Sequence, residues 1–304
     1  MRRPTFTLEQ VRSFAAVAEQ QQISKAAASL FLTQAAVTQQ VRHFEKAVGL
    51  KLVERDGRGV RLTDAGKTMA EACRAVLRAS EVLDDTAHAV KDLQAGSLHL
   101  GASPTCASYY APPYLAELVR RHPGIKLDVV VEMTASLNRK VLAGALDCAM
   151  IEGAPDSALL AHEVARDELM LVAHRDHPLA HLRRVTVTDL TRHRYLRRAP
   201  DWSGEGYVRD LLGPAYPRVE VMDLGHAEYV RAAVAAGLGY ALLPKRVVVA
   251  DLASGLLGRL PFPPIVRTIS AIRRPAAGAP ALEAFWALIT GALPAPPDGH
   301  AGSG

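Results

Sequence analysis

Thr33-Gln34-Ala35-Ala36-Val37-Thr38-Gln39-Gln40-Val41-Arg42-His43-Phe44-Glu45-Lys46-Ala47-Val48-Gly49 decides how the first part of this chain folds. Its apolar positions Val37, Val41, Phe44 and Val48 step by four, three and four, the buried stripe of an amphipathic helix. Thr33 offers a side-chain oxygen to cap the start, and Gly49 suits the left-handed turn that ends such a helix. The opposite stripe, Gln34, Ala35, Thr38, Gln39 and Arg42, carries amide, hydroxyl and guanidinium groups and no acid. Upstream, Leu8, Val11, Phe14, Ala15 and Ala18 predict a first helix. Ser24 then suits the N-cap of a second, short helix through Leu30, with Ala27, Ala28 and Phe31 facing inward. Downstream, two short alternating runs flank Asp56-Gly57-Arg58-Gly59 and predict a β-hairpin with Arg55, Arg58 and Arg61 at its tip. Three helices and a basic hairpin make a winged helix-turn-helix over residues 1–66.

The charge distribution agrees with that reading. Residues 1–67 hold 11 Lys or Arg against 6 Asp or Glu, while residues 68–304 hold 25 of each sign. The whole formal excess of +5 therefore lies in the first fifth of the chain, as expected of a segment that neutralises phosphates.

Beyond the hairpin, Leu62, Ala65, Met69, Ala72, Val76, Ala79, Leu83, Thr86, Val90 and Leu93 alternate by three and four. This heptad seam predicts a linker helix over 67–95 that pairs with a second chain, since a lone helix cannot bury its own stripe. After Gly96 the pattern becomes α/β. Strands are expected at Leu98–Ala102, Ile125–Val131, Asp147–Ile151, Met170–Ala173, Arg218–Met222 and Tyr240–Leu243, with helix-like stretches between several of them. The alternation predicts a largely parallel sheet covered on both faces, divided into two lobes. Lobe I is placed at about 96–163 and 267–293, lobe II at about 164–266, and a disordered Pro/Gly-rich tail at 294–304.

The run from Thr33 to Arg42, then Phe44-Glu45, Gly49, Leu52-Val53-Glu54-Arg55 and Leu62-Thr63-Asp64-Ala65-Gly66, resembles the LysR-type transcriptional regulators. Ala35 and Thr38 stand where that family often has proline and serine. The resemblance implies a homodimer or homotetramer bound to double-stranded DNA at an interrupted palindrome, with RNA polymerase a further candidate partner. Helix spacing and resemblance name the same DNA-binding candidates: Thr33, Gln34, Ala35, Thr38, Gln39 and Arg42 in the major groove, Arg55 and Arg58 on phosphate or the minor groove.

The C-terminal part resembles the family's effector domain, built like a periplasmic solute-binding protein. Leu100-Gly101-Ala102-Ser103-Pro104-Thr105-Cys106 ends a strand and opens a helix, a junction suited to an anion or carboxylate. Ser103, Thr105 and Cys106 are therefore effector-binding candidates, and the resemblance adds Thr134, Trp202, Ser203 and His226. Trp202-Ser203-Gly204-Glu205-Gly206 stands where relatives often read Ser-Gly-Thr-Arg, so an arginine clamp is expected to be absent at that spot. Gly101-Ala102-Ser103, Pro112-Pro113, Leu142-Ala143-Gly144-Ala145-Leu146-Asp147 and Ile151-Glu152-Gly153 look most like the branch controlling carbon dioxide fixation and sulfur assimilation.

Other chemistries are poorly served. No cofactor and no metal are expected beyond a small co-inducer whose identity the sequence does not name. His174, His177 and His181 with Asp176 have ligand-like spacing, but Pro178 prevents a regular helix from aligning the rings. Three distant cysteines, Cys73, Cys106 and Cys148, argue against a disulfide framework, and Cys106 near a helix start is weighed as a redox sensor against a buried thiol. No catalytic motif appears, so an enzyme is not expected. A solute-binding transport component is disfavoured by the basic front end and the lack of a signal-peptide core. No stretch reaches the roughly 20 apolar residues of a membrane span, and a cytoplasmic location is expected.

Overall fold

The computed structural model describes residues 5–56, 59–89, 96–200, 202–276 and 278–291. The expectations for Arg58, for the heptad positions Val90 and Leu93 and for the tail at 294–304 lie outside the described residues.

Helix α1 (Leu8–Gln20) begins with a capping box: Thr7 Oγ1 accepts from Gln10 N at 3.3 Å, and the Gln10 side chain accepts from Thr7 N at 3.0 Å. Helix α2 (Ile23–Ser29) starts two residues earlier than the serine cap predicts. Its N-cap is Gln22, which makes no side-chain cap bond, and Ser24 falls inside the first turn. Ala26 and Ala27 are its buried residues, whereas Ala28 is exposed. Phe31 also departs from expectation. It sits at φ +56° in the turn before helix α3 (Gln34–Val48), so its ring points outward and is 95% exposed. Val11, Phe14 and Val17 of α1 close on Val37, Val41 and Phe44 of α3 to form the head's core.

Strands β1 (Val53–Asp56) and β2 (Gly59–Leu62) form the antiparallel wing, with Arg55 opposite Val60 and Glu54 opposite Arg61. Helix α4 (Asp64–Ala89) follows and presents three different stripes. Ala70 and Cys73 are buried in the head's core, and Ala65 and Met69, the first positions of the expected seam, pack there too. Arg78 is buried beside Asp147 of the following domain. Ala72, Val76, Ala79 and Leu83 face away, with Leu83 72% exposed, which leaves an apolar strip for a partner.

The second half runs β3 (Gly96–Ala102), α5 (Pro104–Tyr109), α6 (Ala111–Arg121), β4 (Ile125–Val131), α7 (Thr134–Leu142), β5 (Cys148–Glu152) and β6 (Leu160–His174). It continues with α8 (Val187–Leu190), β7 (Tyr195–Arg197), α9 (Glu205–Leu212), β8 (Val221–Asp223) and α10 (Ala227–Ala235). Last come β9 (Tyr240–Pro244), α11 (Lys245–Ala253), β10 (Leu257–Arg259), β11 (Ile265–Arg273) and α12 (Pro280–Thr290). The strands lie in the order β4-β3-β5-β11-β6-β9-β7-β8, with β10 added to β6.

The sheet is mixed rather than largely parallel. Pairs β3/β4, β3/β5, β7/β8 and β7/β9 are parallel, but β11 runs antiparallel to both β5 and β6, and β6 antiparallel to β9. The reason is the route of the chain: it leaves the first lobe along the 15-residue β6 and returns along β11, so the two crossing strands oppose each other. The segment Arg218–Met222, expected as one strand, instead splits. Residues Gly213–Arg218, with Pro217 inside, form a 3₁₀ turn, and β8 starts at Val221. One lobe buries Leu98, Leu100, Tyr110, Leu118, Met150 and Phe285, the other Leu171, Tyr195, Val208, Tyr240 and Leu242.

Candidate nucleic-acid interface and ligand cleft

Burial of Val37, Val41 and Phe44 turns the other side of α3 to solvent. Gln34, Ala35, Gln39 and Arg42 are exposed and Thr38 half-buried. With His43 and Lys46 they line a shallow groove of about 610 Å³ that contains no acidic side chain. Thr33 caps the helix, its Oγ1 accepting from Ala36 N at 3.2 Å. Thr38 Oγ1 donates to Gln34 O at 2.7 Å, so its proton is engaged within the helix while the residue lines the groove. Arg55 is exposed on β1, while Arg61 is paired with Glu54 at 2.9 Å.

The wing is fixed to α3 by Glu45, a residue the sequence pattern gave no role. Its carboxylate accepts from Leu52 N at 2.8 Å, Val53 N at 3.2 Å and Lys51 Nζ at 3.0 Å. Burial pushes its pKa up, but those backbone and lysine donors outweigh burial and hold it below the usual carboxylate value. The start of α4 is tied to the same loop. Thr63 Oγ1 donates to Lys51 O at 2.8 Å, and a Cβ on Gly66 would lie 2.1 Å from Leu52 O, so only glycine permits this approach.

In the second half the two lobes meet over a buried, charged cluster. Ser103, Thr105 and Cys106 at the β3–α5 junction are 2% exposed or less. Opposite them, the segment after β7 brings Arg198, Trp202 and Ser203, and β11 brings Arg267. Arg198 Nη1 donates to Thr105 Oγ1 at 3.4 Å, and Trp202 Nε1 donates to Glu152 Oε1 at 3.1 Å. Arg267 donates twice to Asp167 Oδ2, at 2.6 and 2.8 Å, and its Nη2 lies 2.7 Å from Glu152 Oε2. Both guanidinium groups lie over the Trp202 ring, at 4.9 Å for Arg198 and 5.7 Å for Arg267. Burial pushes the Asp167 pKa up despite Arg267, and burial pushes Arg198 down. Ser103 Oγ, Ser203 Oγ, Arg198 Nε and Arg267 Nη1 are buried with no hydrogen-bond partner among the described residues. Four unanswered donors in one place suit an acceptor-rich ligand.

Comparison with known proteins bears on both halves. Residues 8–67 match the family "Bacterial regulatory helix-turn-helix protein, lysR family", and residues 91–294 match "LysR substrate binding domain". The chain belongs to the LysR family. It is a LysR-type DNA-binding transcriptional regulator with an effector-binding domain. The CbbR regulator of Xanthobacter flavus is 34% identical over 280 residues, covering 89% of this chain and 83% of that one. A probable RuBisCO transcriptional regulator of Cyanophora paradoxa is 30% identical over 288 residues, covering 89% and 86%. The fold is that of CbnR solved in complex with its target DNA, with a TM-score of 0.65 at 22% identity and coverage of 92% and 98%.

In this LysR-family chain the residues singled out for the effector are not all brought together. Ser103, Thr105, Trp202 and Ser203 join the cluster. The Thr134 hydroxyl is spent on Glu152 O at 2.8 Å, which fixes the end of β5. His226 is exposed at the start of α10, and its ring packs against Tyr229. Cys106 is buried and its thiol is pushed up to about 12 by burial, the opposite of the lowered value a redox-sensing thiolate needs. Cys73 is likewise raised to about 11. The histidine run makes local contacts: His177 Nδ1 accepts from Leu179 N at 3.2 Å, and its ring packs on His193. Among the described residues no group of three His, Cys, Asp or Glu is placed to hold a metal ion.

No arginine stands at the Trp202–Gly206 stretch, but Arg198 and Arg267 enter the cluster from the segment after β7 and from β11. Glu205 is instead an internal anchor that accepts from Tyr195 Oη at 3.1 Å and lies 3.7 Å from Arg197. Arg267 was hidden because its meaning comes from the sheet register, which sets it directly opposite Asp167, 100 residues away. No helix among the described residues is long and apolar enough to cross a membrane.

Proposed function

We propose that this chain is a cytoplasmic, non-catalytic regulator whose grip on DNA changes when a small anionic effector enters between the two lobes. One arrangement carries the reading: an exposed, acid-free α3 face stands on the basic head of a chain whose lobes meet over four unanswered buried donors. Thr33, Gln34, Ala35, Thr38, Gln39 and Arg42 read the major groove, while Arg55 and Arg58 hold the backbone. Amide side chains pair with adenine, and the Thr38 methyl suits a thymine methyl. The effector contacts are Ser103, Thr105, Trp202 and Ser203 with Cys106 behind them, joined by Arg198 and Arg267, while Thr134 and His226, also expected from the sequence, stand outside the cluster as positioned.

The apolar strip Ala72, Val76, Ala79 and Leu83 supports pairing through α4, two-fold heads and hence an interrupted palindrome. RNA polymerase is the partner expected at such a promoter. The names of the relatives make carbon-fixation genes the first targets to test. Ligand binding shifts the balance of lobe arrangements by its differential affinity and so changes the placement of the heads. Gel shift against the chain's own upstream DNA tests the reading, with a salt-sensitive, sequence-dependent shift expected. No such shift, with or without candidate metabolites, would sink it.

A further inference from the structure

Arg198 is the least satisfied charge in the cluster. A guanidinium has five N–H donors. Among the described residues Nη1 reaches only Thr105 Oγ1 at 3.4 Å, Nε has no partner, and the carboxylate oxygen within ion-pair distance is Glu152 Oε1 at 3.9 Å. Arg267, by contrast, already has a carboxylate partner, donating two hydrogen bonds to Asp167 across the strand pair. Glu152 is thus a second acid on an arginine that is already charge-paired, though its Nη1 is unanswered, and a distant one to an arginine with no close carboxylate among the described residues. It is 1% exposed, belongs to the end of β5 in one lobe, and takes its Trp202 hydrogen bond from the other lobe. Arg198 and Arg267 balance Glu152 and Asp167 in charge at the centre of the cluster, with Arg246 one step out, bonded to the Tyr110 hydroxyl that donates to Asp167. An added anion makes it negative in a buried setting unless an internal acid gives way.

Resting on the reading of this cleft as the effector site, we propose that Glu152 is a built-in competitor that stands in for the carboxylate of an organic-acid effector. The incoming carboxylate takes Arg198 in the paired geometry that a planar guanidinium offers, with Ser103, Ser203 and Thr105 hydroxyls around it. Glu152 is pushed off Trp202, and the link between the lobes that this bond makes is broken. The competitor keeps the cleft selective, because only a ligand whose remaining contacts outweigh the repulsion from Glu152 enters.

The chain has two tryptophans, so in a Trp286→Phe background Trp202 alone reports on the cleft. Sodium acetate and inorganic phosphate are titrated into the full-length protein at constant ionic strength while Trp202 emission is followed. Glu152→Gln is expected to lower the acetate concentration at half-saturation by about tenfold or more, since it removes a like charge from beside the ligand. Arg198→Met is expected to abolish the acetate response. Gel shift checks the fold of each variant. Should Glu152→Gln fail to fold, Glu152→Asp draws the carboxylate back by one methylene and is expected to tighten acetate binding by a smaller factor. Equal or weaker acetate binding in Glu152→Gln, with wild type saturating and Arg198→Met silent, overturns the competitor role while leaving the effector cleft standing. No saturable response in any variant overturns the cleft as an oxyanion site as well. Phosphate binding better than acetate in Glu152→Gln overturns the carboxylate class.

Discussion

Replacing Glu45 by alanine isolates the contact that holds the wing. The substitution removes acceptors from Leu52 N and Val53 N, and Leu52 is fully buried, so its N–H gains no water in exchange. A hydrogen bond to a charged acceptor contributes about 1.5–3 kcal/mol, and an orphaned buried donor costs about 1–3 kcal/mol. The Lys51 pair adds about 0.5 kcal/mol at most, because the lysine side chain is 68% exposed. Glu45→Ala is therefore expected to destabilise the head by about 3 kcal/mol, and Glu45→Gln, which keeps an acceptor, by about 1 kcal/mol. Urea titration of the full-length protein measures the first number, and a gel shift shows whether a loosened wing weakens DNA binding. The pH dependence follows from the lowered folded-state pKa. The carboxylate's contribution is complete above its ordinary value of 4.5 and is lost as pH falls through the lower folded value. The gap between wild type and Glu45→Gln accordingly closes in acid. A Glu45→Ala protein within about 0.5 kcal/mol of wild type would refute the argument, since it would mean the wing is held by something else.

Four further outcomes are expected. Gln34→Ala or Thr38→Ser, which removes the methyl and keeps the hydroxyl, relaxes base preference by about 1–3 kcal/mol at one position of the site, measured by gel shift against single-base variants. Arg55→Ala weakens all sequences alike and makes the salt slope shallower by about one unit, read from a salt titration. Arg78→Met leaves Asp147, whose bond to Arg78 is 2.7 Å and which is at least as buried, without its arginine. A loss of about 3 kcal/mol by calorimetry is expected, together with uncoupling of effector binding from DNA affinity. Leu83→Glu places a charge on the exposed strip of α4 and converts dimer to monomer in sedimentation, whereas an unchanged mass would relocate the interface.

Helices with a strong stripe were legible, because burial of Val37, Val41 and Phe44 is a local, periodic property. The turn at Phe31 was not, since an aromatic residue at positive φ defies the chemistry that marks such turns. Strand β11 escaped for a related reason. Arg267, Thr268, Ser270 and Arg273 interrupt its apolar residues, and those polar groups are satisfied only by neighbours in the folded sheet. The same cause divides the candidate site. Ser103 and Thr105 lie at a recognisable strand-to-helix junction, but Arg198, Glu152 and Arg267 converge on them from three separate elements, and no local motif announces that meeting. On α4 the heptad spacing was visible, yet it did not reveal that the first turns, Ala65 and Met69, belong to the head's own core.

Gly66 has a mechanical consequence. The backbone of α4 is pressed so closely on Leu52 that the head has no soft joint with the helix that carries it. From Gly66 to Arg78 the helix is a lever arm about 18 Å long, at 1.5 Å per residue. A torque applied by the effector half at Arg78 is not dissipated at a swivel; it arrives in the major groove as rotation of α3. The head is therefore expected to turn as one piece with the helix that carries it, rather than about a hinge of its own.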